Sequence, residues 1–99
     1  MNEMEMEAFA HEALAVSSTS VPFTAATWKN PSTGSAARKA LVTVESNTVR
    51  WRADGTDPTA STGHQLAAGQ SLEVWGADMN RIEFIRETSD ATVRVTYFR

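Results

Sequence analysis

From residue 40 onward the apolar side chains recur at every second position. Val42 and Val44 alternate with Leu41, Thr43 and Glu45, and Val49 and Trp51 with Arg50 and Arg52. Leu72 and Val74 alternate with Ser71, Glu73 and Trp75, and Val93, Val95 and Tyr97 with Thr92, Arg94 and Thr96. A period of two is that of a strand with one buried and one wet face. Strands are therefore predicted near 40–45, 48–53, 71–75, 81–86 and 92–98, with no helical stripe visible in residues 40–99. The block from Arg81 to Arg86 breaks the rule, because Ile82 and Phe84 share one face while Ile85 falls on the other beside Glu83. That requires either a bulge or a strand covered on both sides.

Turn-forming residues separate these blocks: Asn30-Pro31-Ser32-Thr33-Gly34, Glu45-Ser46-Asn47, Asp54-Gly55, Ala68-Gly69 and Gly76. Short strands at such spacing predict an all-β fold, a small antiparallel β-sandwich or a jelly-roll-like barrel. The stretch 53–70 reads as a largely irregular loop. Asp54 and Asp57 are expected to brace it by bonding backbone amides, and Pro58 to fix its exit.

The opening of the chain carries two conflicting patterns. Met6, Phe9, Ala10, Ala13 and Leu14 recur at helical spacing, whereas Glu3, Glu5 and Glu7 alternate with Met4, Met6 and Ala8. The alternation is preferred here. It predicts an extended N-terminal arm over residues 1–10, running into a single β-domain over 11–99 with a first strand at His11 to Val16.

Charge sharpens the picture of that arm. The chain of 99 residues has a net charge of -3, and its first twelve residues hold Glu3, Glu5, Glu7 and Glu12 without one base. The remainder, with eight acids and nine bases, is almost neutral and presents no basic face for nucleic acid. Absence of cysteine removes disulfides and thiolate chemistry. The longest apolar run, Ala13 to Val16, is far shorter than the ~20 residues of a membrane span, and no secretion signal is read at the start.

Little in the chain suggests catalysis. His11 and His64 are the only histidines and share no metal-binding spacing. Asp54-Gly55-Thr56-Asp57 resembles part of a calcium loop but lacks the third acidic ligand and the distal glutamate. No Gly-x-Ser-x-Gly or phosphate-cradling glycine loop occurs. Arg50, Arg52, Arg81, Arg86, Arg94 and Arg99 alternate with acids, which suits cross-strand ion pairs or subunit contacts. The expectation is a protein without enzymatic activity, cofactor or metal.

The aromatic and methionine side chains are the better candidates for a working surface. Trp51, between arginines, is expected in the core, and His64 at the surface or bracing a loop. Trp28 and Trp75 either close the ends of the fold or lie at an interface, where tryptophan is enriched. As an exposed coplanar pair they would instead form a platform for sugar. The candidate interface comprises Met4, Met6, Phe9, Trp28, Trp75 and Ile85. Its methionines suit an irregular partner surface, and the arm is expected to act in assembly rather than folding.

One order of motifs is familiar. Val49-Arg50-Trp51-Arg52-Ala53-Asp54-Gly55-Thr56-Asp57-Pro58-Thr59 is followed by Gly63-His64, by Leu66-Ala67-Ala68-Gly69-Gln70, by Ile82-Glu83-Phe84-Ile85-Arg86 and by Val93-Arg94-Val95-Thr96-Tyr97-Phe98. It resembles small proteins encoded among the virion genes of tailed bacteriophages, over residues 40–99 and, more loosely, Leu14 to Trp28. The resemblance implies a non-enzymatic β-sandwich component of the virion: a head decoration (cement) protein on the capsid exterior, made in the bacterial host cytoplasm. It would bind the major capsid protein and copies of itself, as a dimer or trimer, with no nucleic acid or membrane partner. The alternatives are a carbohydrate-binding module for host adsorption and a head–tail or tail component.

Overall fold

The structure, a computed structural model, describes residues 6–29 and 36–99. Its strands are β1 (Ala8–Val16), β2 (Val21–Pro22), β3 (Lys39–Ser46), β4 (Val49–Arg52), β5 (His64–Leu66), β6 (Ser71–Trp75), β7 (Glu83–Arg86) and β8 (Ala91–Phe98). A single helical turn, α1 (Ala25–Trp28), follows β2, and a 3-10 helix occupies Gly76–Asn80. Two four-stranded antiparallel sheets, ordered β1-β8-β3-β6 and β2-β7-β4-β5, pack as a small all-β sandwich. Successive strands mostly change sheet. Among the described strands only β4 and β5 are neighbours both in sequence and in a sheet.

The alternation decides the faces. In the first sheet Leu14, Val16, Ala40, Val42, Val44, Val74, Val93, Val95 and Tyr97 point inward and are buried. The second sheet contributes Val49, Leu66 and Phe84. Phe23 lies between the layers, 5.7 Å from Phe84 and edge-on to Tyr97 at 5.4 Å and 87°. Each such side chain, fully buried, contributes about 1.5–3 kcal/mol, and edge-on aromatic pairs add to that.

One expected boundary is corrected, and three other points are filled in. β1 starts at Ala8 rather than His11, and reciprocal 3.0 Å bonds between the Glu7 and Arg99 backbones carry its pairing one residue further. Alanine-rich sequence with helical spacing becomes a strand because the whole segment pairs along β8, a tertiary contact that outweighs local preference. The 53–70 loop contains β5, three residues long and too short to show a period. The chain after residue 40 also makes a 3-10 helix, which buries Met79. Finally, Ile85 and Phe84 are both buried although they point to opposite faces, so β7 is covered on both sides.

One inward position of β1 is polar. Glu12 pairs with Val95 on the core face, where its carboxylate accepts a hydrogen bond from the Tyr97 hydroxyl and another from the Thr24 amide at 3.2 Å. Thr24 is the residue preceding α1, so this carboxylate ties the helical turn to the sheet. Burial, and then the Glu12 carboxylate, push the Tyr97 phenol well above its ordinary range. A raised folded-state value means that the stability it contributes is intact below pH ~10, where an unfolded tyrosine is still protonated, and declines as pH rises beyond it. We expect the slope of unfolding free energy between pH 10 and 11 to be more negative, by up to ~1.4 kcal/mol per pH unit, than in Tyr97→Phe. Parallel slopes for the two proteins in alkaline denaturant titrations would refute this.

Candidate functional site

Two surfaces stand out. The first is the outer face of the β1-β8-β3-β6 sheet. Cross-strand pairing puts Trp75, Lys39 and Phe98 in one row and Glu73, Leu41, Thr96 and His11 in the next. Trp75 is 38% exposed and Leu41 37%, the two exposed large apolar side chains among the described residues. The Lys39 ammonium lies 5.1 Å from both the Trp75 and Phe98 ring centres and 3.5 Å from Glu73, which also accepts the Trp75 indole N–H at 3.2 Å. His11 Nδ1 meets the Thr96 hydroxyl at 3.0 Å, Thr43 meets Ser71 at 3.2 Å, and Arg94 donates to Glu45 at 2.9 Å. The charges are thus paired within the sheet while two large apolar groups stay uncovered.

The second surface is the mouth of the β4–β5 hairpin, an open cleft of about 600 Å³ lined by Trp51, Arg52, Ala53, Asp54, Thr62, Gly63 and His64. Trp51 and His64 are directly opposite in the ladder, and their rings stack at 4.7 Å with a 35° tilt. Trp51 is half-buried against the core and His64 is exposed. Arg52 grips Asp54 through two bonds, Nε to Oδ1 at 3.1 Å and a terminal N–H to Oδ2 at 2.5 Å. This pairing holds the Asp54 carboxyl below the usual carboxylate range, and Asp54 also accepts the Thr56 amide at 3.3 Å.

Arg50, on the other face of β4, straps the loop down by donating to the carbonyls of Ala60 and Gly63, each at 3.0 Å. Pro58 is buried and Thr59 pairs with Thr62, so the loop is pinned along its length. Gly63 has φ +133, and an added Cβ would stand 3.0 Å from the Trp51 carbonyl oxygen and 3.3 Å from Pro58. Glycine suits the position, because φ +133 strains any L side chain and an added Cβ would crowd the Trp51 carbonyl.

The candidate interface residues scatter. Met4 lies outside the described residues, as do the acidic positions Glu3 and Glu5. Met6 is half-buried, and Phe9 packs against the core under the Arg99 guanidinium, 4.6 Å from its ring. Two of the six move inside: Trp28 is 8% exposed and Ile85 9%. Trp28 ends the helical turn that packs beside β1, its carbonyl accepting the Ala37 amide at 2.8 Å. Ile85 sits opposite Arg50 beneath the strapped side of the second sheet. Trp75 is exposed while Trp28 is buried, so no Trp28–Trp75 sugar platform exists.

In the loop, Asp54 bonds an amide as expected, whereas Asp57 is exposed and makes no such bond among the described residues. Five of the six arginines find acids, Arg52 and Arg94 as described above, Arg50 with Glu87 at 3.7 Å, Arg86 with Asp90, and Arg99 with Glu7 at 4.0 Å, whereas Arg81 forms no ion pair among the described residues. Among the described residues no three histidine or acidic side chains converge as metal ligands. The Trp51–His64 stack is not among the sequence expectations, which put Trp51 in the core and His64 at the surface or bracing a loop. The signal was present, since a hairpin that pairs Val49 with Leu66 also pairs residues 51 and 64.

No known protein family matches this chain, and neither a characterised protein nor a solved structure is detectably similar to it.

Proposed function

We propose that the protein is a non-enzymatic structural component of a tailed-phage virion, a head decoration protein that binds the major capsid protein as a homo-oligomer. The observation that carries this reading is the outer face of the first sheet, where Trp75 and Leu41 are uncovered and flanked by ion pairs. Exposed aromatic side chains with a charged rim are the anatomy of a binding face, and the partner class rests on the resemblance of the motif order to small phage virion proteins.

The size of the face favours several copies. Four strands about 4.8 Å apart and roughly 25 Å long offer on the order of 500 Å², below the ~800 Å² per partner of a standard interface. Attachment through it is weak for one copy and strengthened by linking copies, which a symmetric oligomer provides.

The test combines particle sedimentation with single variants. Leu41→Lys and Trp75→Ala should abolish co-sedimentation with capsids, while each lowers the unfolding free energy by no more than about 1 kcal/mol, the scale of one cross-strand pair. A density map of the decorated particle should show this face against the shell. Wild-type sedimentation by both variants would sink the proposal, and density at a head–tail junction or on the tail would replace decoration by that role.

A further inference from the structure

We infer that the cleft at the β4–β5 hairpin is a binding site for a neutral saccharide ring. The inference does not depend on how the protein is mounted, because the cleft belongs to the second sheet and the proposed assembly face to the first.

The cleft has the three parts that such a ligand needs. Its wall is aromatic: the Trp51 indole, backed by the core, and the exposed His64 imidazole stacked on it at 4.7 Å. Sugar rings present a face of C–H groups that packs on flat aromatic surfaces, a contact that needs no charge. Its rim is polar and bifunctional. The Arg52–Asp54 pair leaves donors on one partner and acceptor lone pairs on the other, which matches the paired donor-and-acceptor character of neighbouring hydroxyls. Thr62 adds a hydroxyl on the same lining.

The third part is rigidity. Arg50 ties the loop at Ala60 and Gly63, Asp54 ties it at Thr56, Pro58 is buried, and Gly63 rests against the Trp51 carbonyl. A pre-formed cleft spares the ligand the cost of ordering a loop, which matters most for weak, small ligands.

Charge narrows the class. The two bonds between Arg52 and Asp54 cancel their charges, so the cleft offers no net attraction to a phosphate or a carboxylate ligand. A purely apolar ligand would strip water from the Arg52, Asp54 and Thr62 polar atoms without replacing their hydrogen bonds. A neutral polyol with one apolar face satisfies both wall and rim.

The experiment is a titration of the isotopically labelled full chain with the methyl glycosides of glucose, galactose and mannose, with N-acetylglucosamine, and with the corresponding disaccharides. It is followed through the Trp51 indole N–H and the His64 ring signals. At least one of these sugars should give saturable shifts at Trp51, His64 and Thr62, with Kd on the order of 1 mM and no shift at Trp28 or Trp75. His64→Ala should weaken that binding about fivefold. Thr62→Val, which keeps the side-chain shape and replaces the hydroxyl by a methyl group, should weaken it about threefold. Trp75→Ala should leave it unchanged. Absence of shifts with every sugar at roughly ten times the expected Kd would overturn the inference. So would unaltered affinity in both cleft variants, or shifts produced only by inorganic phosphate, adenosine monophosphate or a proline-rich peptide. Loss of capsid binding bears on the other face alone, so the two proposals fail separately.

Discussion

Truncating Tyr97 to alanine should cost about 3–5 kcal/mol and lower Tm by roughly 20 °C. Tyr97 is fully buried in β8, carries the edge-on contact with Phe23, and donates its hydroxyl proton to Glu12. The loss is a large share of the 5–15 kcal/mol typical of a whole domain. Tyr97→Phe separates the contributions. It keeps the ring and removes the donor, so it should cost about 1.5–3 kcal/mol, the worth of a hydrogen bond to a charged group. Adding Glu12→Leu should then recover most of that loss, because no carboxylate is left facing the core without a partner. Denaturant melts of the three variants decide the matter. A Tyr97→Phe protein as stable as the parent would show that the Glu12 carboxylate is held by solvent and Thr24 alone.

Gly63→Ala should have the second large effect, a loss of about 2–3 kcal/mol, although the change adds a single methyl group to a surface loop. The backbone at φ +133 is one that alanine rarely adopts, and the new Cβ would press on the Trp51 carbonyl oxygen at 3.0 Å, a backbone atom with little room to retreat. Relief requires the loop to lift from β4, and lifting it breaks the Arg50 bonds to Ala60 and Gly63. The Trp51–His64 stack should loosen with it, shifting tryptophan emission to longer wavelength and abolishing sugar binding in the same variant. Gly55→Ala is the matching control. Nothing lies within 4 Å of its added Cβ, so it carries only the strain of φ +87. Equal losses at the two glycines would mean that strain, rather than the close approach to Trp51, sets the requirement.

The two sheets were legible from the chain to different degrees. β3, β6 and β8 each keep five or more alternating residues, and their inward and outward sets follow the period of two. β7 spoils its alternation for a reason visible only once folded, since Ile85 is covered from the far side. β5, with three residues, has no period to read. β1 carried a helix-forming composition and two competing periods, and its pairing with β8 resolved them. Glu12 is instructive in the same way. Its register position marks it as core-facing, but no local rule says that a tyrosine eighty-five residues away will supply the proton donor.

The candidate surfaces divide along the same line. Trp75 could be placed on a wet face from alternation alone, because Val74 beside it is buried and neighbours on a strand point to opposite sides. Trp28 could not, since it belongs to one helical turn whose burial depends on what closes over it. The sequence by itself therefore determined the all-β class, the positions of β3, β6 and β8 and their inward faces, because those follow from a local period. Only the tertiary structure decided which strand neighbours which. Consecutive strands mostly cross between sheets, so pairing rests on contacts far apart in the chain that no local pattern encodes. The cleft is the product of that second level. Trp51 and His64, separated by a loop of eleven residues in 53–63, meet because the β4–β5 register and the Arg50 strap bring them together.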